Sequence, residues 1–294
     1  ACILTGLAGS SKPVFFAAID KLAGSKGSLA FITASREEIR AYRRELNYLY
    51  PDLPMQELYP VSLPRVQADT QSLELQAGRA AALRFLSGEE RGIVFITAEA
   101  LQQKQLRPSG ISGKALQLAV GEVYEQRAVA AALLDLGYER TEQVDALGQF
   151  CLRGDILDVY PINASAPIRI EWFDNELDAM RSFDVDTQRS LQTLSSVKIA
   201  PLKVDESFSY DADIFEYCAA DTLVVVDEPV HVFSMLEKLD KENKLHSAEL
   251  FGKQEVIEQL AVNGVMLVSA LGHSYLQQLP TLNIPVRAVA PYNK

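Results

Sequence analysis

The segment Gly6-Leu7-Ala8-Gly9-Ser10-Ser11-Lys12-Pro13 lies between a short apolar entry and an apolar helix, the place of a phosphate-binding loop. A working loop reads G-x-x-x-x-G-K-[ST]: backbone N–H groups wrap the phosphates, the lysine reaches the terminal ones and the hydroxyl holds Mg²⁺. Here Ser11 stands for the second glycine and Pro13 for the hydroxyl residue. Proline offers neither an oxygen for a metal nor an N–H for a phosphate, although its fixed φ suits the first turn of a helix. Gly6, Gly9 and Lys12 therefore read as a relic loop, whose shape is expected to outlast its chemistry.

A second fragment of the same machine lies far along the chain. The apolar run Thr222 to Val226 leads into Asp227-Glu228, and helicase-type ATPases use such strand-end acids to hold Mg²⁺ and activate water. The next residues are Pro229 and Val230, so the histidine of a D-E-x-H continuation is missing. Asp227 and Glu228 read as a relic of the second motif. No nucleotide or metal cofactor is expected to work at this pair of lesions.

A different chemistry is suggested by Ile168-Arg169-Ile170-Glu171-Trp172-Phe173. Period-two alternation puts Ile168, Ile170 and Trp172 on one face and Arg169, Glu171 and Phe173 on the other. The apolar set must face a core, which leaves Phe173 on the solvent side beside a guanidinium, the composition of an interface hot spot. Arg153 immediately precedes Gly154, where a bulge or close approach is expected; if its strand pairs in a hairpin, Arg153 and Arg169 share a face. The alternative is that both arginines merely pair with Asp155 and Glu171 on a solvated sheet, where each pair contributes only about 0 to 1 kcal/mol.

These residues need two kinds of scaffold. Leu29 to Ala34 and Gly92 to Thr97 read as buried strands, with helices from about Ser35 (Glu38 as capping-box partner) and over Ser72 to Leu86. Continuous apolar strands flanked by helices predict a parallel sheet covered on both faces. From about residue 115 the pattern changes to a helix over Val123 to Leu136, ended at Gly137, followed by short alternating strands at Phe150 to Tyr160, Ile168 to Phe173, Leu177 to Phe183 and Val197 to Ala200. After Pro201 the first pattern returns, with strands at Thr222 to Val230 and Met266 to Ala270. The expected architecture is an α/β domain with a degenerate P-loop and a parallel sheet, in halves 1–115 and 204–294, interrupted by a small antiparallel α+β module at 116–203.

A length of 294 residues suits roughly two or three such units. The net charge of −11 opposes a grip on nucleic acid through phosphate neutralisation. The three cysteines and three histidines are scattered without metal-ligand spacing. Apolar runs are strand-length and no leader pattern opens the chain, so a reducing cytoplasmic setting is expected.

The ordered series Val120-Gly121-Glu122, Gly137 to Arg140, Gly148 to Pro161, Ile168 to Glu176 and Phe183-Asp184 resembles the UvrB-related module of the Mfd family, the bacterial transcription-repair coupling factors, and the flanking α/β halves extend the likeness over the whole chain. UvrB itself keeps an intact phosphate loop and a long aromatic-rich hairpin; here Tyr59 to Val66 carries a single aromatic and runs quickly into the next helix. The resemblance implies docking onto UvrA by mimicry of UvrB, so that excision repair is directed to RNA polymerase stalled at a lesion. It assigns the contacts to Arg153, Arg169 and Phe173, with Trp172 departing from the usual Phe. It also implies an N-terminal fragment of a longer ATP-dependent DNA translocase, whose polymerase, DNA and ATP/Mg sites lie elsewhere and whose docking face is masked until polymerase is engaged. The alternatives are a UvrB-type ATPase with residual nucleotide binding, and a DNA-binding module.

Overall fold

A computed structural model describes residues 2–7, 9, 11–22, 27–62, 73–203, 208–270 and 279–284. The chain divides into two units, one holding residues 1–69, 82–105 and 213–294 and the other 70–81 and 106–212. The inserted unit thus extends beyond 116–203 at both ends and takes in part of the helix before residue 86. The reading of Tyr59 to Val66 falls in part outside the described residues, as does Ser72.

Strands and helices are numbered along the chain. The first unit is built on β1 (Cys2–Thr5), β2 (Leu29–Thr33), β3 (Met55–Leu58), β4 (Ile93–Thr97), β15 (Leu223–Asp227), β16 (Met266–Ser269) and β17 (Thr281–Asn283). They form one sheet in the order β17-β1-β16-β15-β2-β4-β3, every neighbouring pair parallel. Because successive side chains point to opposite faces, each apolar strand feeds two cores. Ala30, Ile32, Val94, Ile96, Val224 and Val226 pack with residues of α4 (Ala98–Gln102), α7 (Pro229–Glu242) and α8 (Lys253–Val262). Leu29, Phe31, Ile93, Phe95 and Val225 pack on the other side with Phe16 of α1 (Ser11–Leu22) and Ile39 and Leu46 of α2 (Arg36–Leu49). Phe31 meets the rings of Phe16, Tyr42 and Phe95 edge to face at centroid separations of 5.0, 5.2 and 5.8 Å, each pair contributing about 0.5–1.5 kcal/mol beyond area burial.

Helix α2 begins where the sequence places it: Ser35 and Glu38 cap each other reciprocally. The strand expected over Thr222 to Val230 is shorter than its apolar run. It ends at Asp227; Glu228 turns left-handed at φ 43°, and Pro229 opens α7, because proline fits a first helical turn and cannot extend a central strand.

The second unit holds the short strands β5 (Gln105–Leu106) and β14 (Tyr210–Ala212) at its chain crossings, with α3 (Leu73–Leu86) shared with the first unit, α5 (Pro108–Lys114) and α6 (Gln126–Asp135). Its sheet comprises β7 (Glu139–Arg140), β8 (Gln149–Arg153), β9 (Ile156–Val159), β10 (Ile168–Phe173), β11 (Glu176–Phe183) and β12 (Ser190–Thr193) in sequential order; β6 (Leu116–Ala119) and β13 (Ser196–Ile199) form a separate antiparallel ribbon. The sheet is antiparallel except for the β7–β8 pair. Phe150 to Tyr160, read as one strand, is a hairpin that turns at Gly154, φ 58°. Helix α6 starts later than expected because Val123 bridges to Glu176 and Tyr124 N donates to Asn175 O, holding that stretch extended. One face of the sheet packs Phe150, Leu157, Val159, Ile170, Trp172 and Met180 against Val129 and Leu133 of α6.

Candidate functional sites: a closed loop and an open sheet face

At the end of β1 the chain turns through Gly6 (φ 89°) and Gly9 (φ 53°) into α1. Gly6 is required twice over: its φ is left-handed, and a Cβ there would stand 2.3 Å from the carbonyl oxygen of Ile284. The turn delivers Lys12 to the C-terminal ends of the strands, where it is 4% exposed. Its Nζ donates to Asp227 Oδ1 and to Glu228 Oε1, both at 2.6 Å. The sequence reading brought these three residues into one site, and the structure places them in direct contact.

Three further groups close the cluster and were missed. Tyr42 of α2 donates its hydroxyl to Asp227 Oδ2 at 2.5 Å, and burial together with the Asp227 charge pushes that phenol far above its ordinary value. Glu228 Oε2 accepts from Ser269 Oγ at 3.0 Å and Oε1 from the Ala270 N–H at 2.9 Å. Burial raises the Glu228 carboxyl, but the bonds from Lys12, Ala270 and Ser269 outweigh it and hold the group below the usual glutamate range. The lysine is already surrounded by carboxylate oxygens, and the cluster carries an excess negative charge. A phosphate would have to displace buried, charge-assisted bonds and then face two anions. Among the described residues, no group of three or more His, Cys, Asp or Glu side chains is arranged to hold a metal ion.

The second site is the sheet face of the inserted unit away from α6. Alternation along β10 is as the sequence predicts: Ile168, Ile170 and Trp172 are buried, and Phe173 is 75% exposed. Phe173 stands at the last position before the β10–β11 turn, where Asp174 adopts φ 54°. Trp172 faces inward and donates its indole N–H to Tyr124 O at 3.0 Å.

Arg153 and Arg169 do share this face, though not as neighbours. Strand β9 lies between them, and both converge on its Asp158, which is 2% exposed. Arg169 donates Nε to Asp158 Oδ1 at 2.7 Å and Nη2 to Oδ2 at 2.8 Å, a bidentate fork, while Arg153 Nη2 reaches Oδ2 at 3.2 Å. Arg169 also donates to Gln188 Oε1 at 3.0 Å and lies over the Phe183 ring at 4.6 Å. Its hydrogen bond to Asp158 raises the guanidinium still further above its ordinary range. The arginines therefore do not pair with Asp155 and Glu171, as the solvated-sheet alternative had it; Glu171 pairs instead with Arg181 at 2.5 Å. The two guanidiniums are also unequal, since the Arg153 side chain is 54% exposed and that of Arg169 only 17%. Asp158 was not foreseen, although its position between the inward Leu157 and Val159 puts it on the arginine face.

Residues 116–204 match the family described as the UvrB interaction domain. Over 203 residues, 68% of the chain, the sequence is 36% identical to the transcription-repair-coupling factor of Bacillus subtilis (strain 168). Over 201 residues, 67% of the chain, it is 32% identical to that of Staphylococcus aureus (strain NCTC 8325 / PS 47), and over 165 residues, 56%, it is 28% identical to that of Escherichia coli (strain K12). The aligned stretches span 17%, 17% and 14% of those relatives. No helix among the described residues is long and apolar enough to cross a membrane.

Proposed function

From the premise that residues 116–204 belong to the UvrB interaction domain family, within a chain similar to transcription-repair-coupling factors, we propose that this protein is a recruitment module that docks UvrA through the open face of its inserted sheet. The observation that carries the reading is Phe173, a large aromatic ring left 75% exposed at the end of β10, the strand that also carries Arg169. An exposed aromatic ring on a sheet face that also presents guanidiniums has the composition of a binding hot spot, and the planar fork of Arg153 suits a carboxylate on the partner.

In this reading the parallel-sheet unit is a scaffold without ATPase activity, because its loop lysine is held by Asp227 and Glu228. Polymerase contact, DNA translocation and ATP hydrolysis belong to other parts of the longer protein, and the setting is the cytoplasm. Calorimetric titration of the chain with purified UvrA tests the docking: Phe173→Ala is expected to weaken binding at unchanged thermal stability, and unchanged affinity would count against the assignment. Titration with Mg-ATP tests the other half. Tight binding that Lys12→Ala abolishes would restore the ATPase reading.

A further inference from the structure

Asp158 sits on the strand between the two arginines, opposite Cys151 of β8 and Arg169 of β10. Both of its oxygens accept hydrogen bonds, Oδ1 from Arg169 and Oδ2 from Arg169 and Arg153. A carboxylate so covered, 2% exposed, is out of a partner's reach. Its effect on a partner must pass through the side chains it holds.

Arg153 is the side chain most dependent on it. It ends β8 at the Gly154 turn with its side chain 54% exposed, so a free Arg153 would keep rotamer freedom that docking would have to remove. Arg169 is fixed from two other sides, by Gln188 and by the Phe183 ring, so loss of the Asp158 charge releases Arg153 first. The turn itself is anchored independently, since Gln126 Nε2 donates to Gly154 O at 2.8 Å. We infer that Asp158 is a positioning residue of the docking face: it tethers the Arg153 guanidinium beside Arg169 before the partner arrives, and does not touch the partner. The inference rests on the docking reading above.

A double-mutant cycle on the chain, read by calorimetric titration with UvrA, tests it. Asp158→Asn keeps the shape and an acceptor oxygen but removes the charge, and is expected to weaken binding about tenfold, as Arg153→Ala does. The double variant is expected to bind within about twofold of Arg153→Ala alone, because a tether has no effect once its cargo is gone. Additive losses would assign Asp158 a merely structural role and overturn the inference, leaving the docking reading intact. If Phe173→Ala and Arg153→Ala leave affinity unchanged, both fall. Should Asp158→Asn fail to fold, Asp158→Glu, which retains the charge and displaces the guanidinium, enters the same cycle with the same outcomes.

Discussion

The relic loop and the sheet face are made from the same kinds of charged group in opposite ratio. At the loop one ammonium, Lys12, serves two carboxylates, Asp227 and Glu228; on the sheet one carboxylate, Asp158, serves two guanidiniums, Arg153 and Arg169. On the sheet the minority charge is the more buried one, whereas at the loop Lys12 and Asp227 are equally buried and only Glu228 is partly exposed. The loop is left negative and sealed, with its cation 4% exposed. The cluster on the face is left positive, with the Arg153 side chain 54% exposed, and Phe173 stands exposed on the strand that carries Arg169. One cluster is thus closed inward as a clamp, and the other stands on an exposed sheet face.

The comparison breaks most sharply at Lys12. Removing the cation strands Asp227 at 4% exposure beside Glu228, so Lys12→Met is expected to cost about 3–5 kcal/mol in denaturant unfolding, the usual loss when one partner of a buried pair is deleted. A cost under about 1 kcal/mol would mean that the lysine is not an internal counter-ion. The mirror experiment on the face is Arg169→Ala, which leaves Asp158 with the single 3.2 Å contact from Arg153. Its expected cost is smaller, about 2–3 kcal/mol, because Arg153 can move closer. Phe173→Ala sharpens the contrast, since it should leave the unfolding midpoint where it is and weaken UvrA binding by at least about tenfold. The smallest effect is with acid. The folded Glu228 carboxyl lies below its unfolded value of about 4.3, so its stabilisation is complete above that pH and fades as pH falls through the folded value. Unfolding curves collected below about pH 4.3 should show this loss in the parent chain and not in Glu228→Gln.

Much of this was legible because it depends on local rules. The Ser35–Glu38 box fixes a helix start within one turn of sequence, and the alternation Ile168, Ile170, Trp172 fixes which side of β10 is wet. The pairing of Lys12 with Asp227 and Glu228, 215 and 216 residues apart, was legible only through a motif that names both ends. Asp158 and Tyr42 belong to no motif. A tyrosine on an amphipathic helix reads as core, and Tyr42 is partly that, against Phe31; its hydroxyl finds Asp227 only once α2 is packed on the sheet. The extent of β15 was misread because hydrophobicity continues through Pro229 and Val230, and the helix they start buries Pro229 just as a strand would. The short strands β3 and β17 carry too few residues to show a period, and they exist because the parallel sheet supplies their hydrogen-bond partners.

Phe173 has a neighbour with an optical property. The chain contains one tryptophan, and it is the residue immediately before, 6% exposed with its indole N–H bound to Tyr124 O. Fluorescence excited in the red edge of the absorption band therefore comes from a single chromophore in the interior of the inserted module, shielded from iodide while that module is folded. The protein carries its own lamp beneath the surface where a partner would land, so melting of this module can be followed separately from the larger sheet without any label.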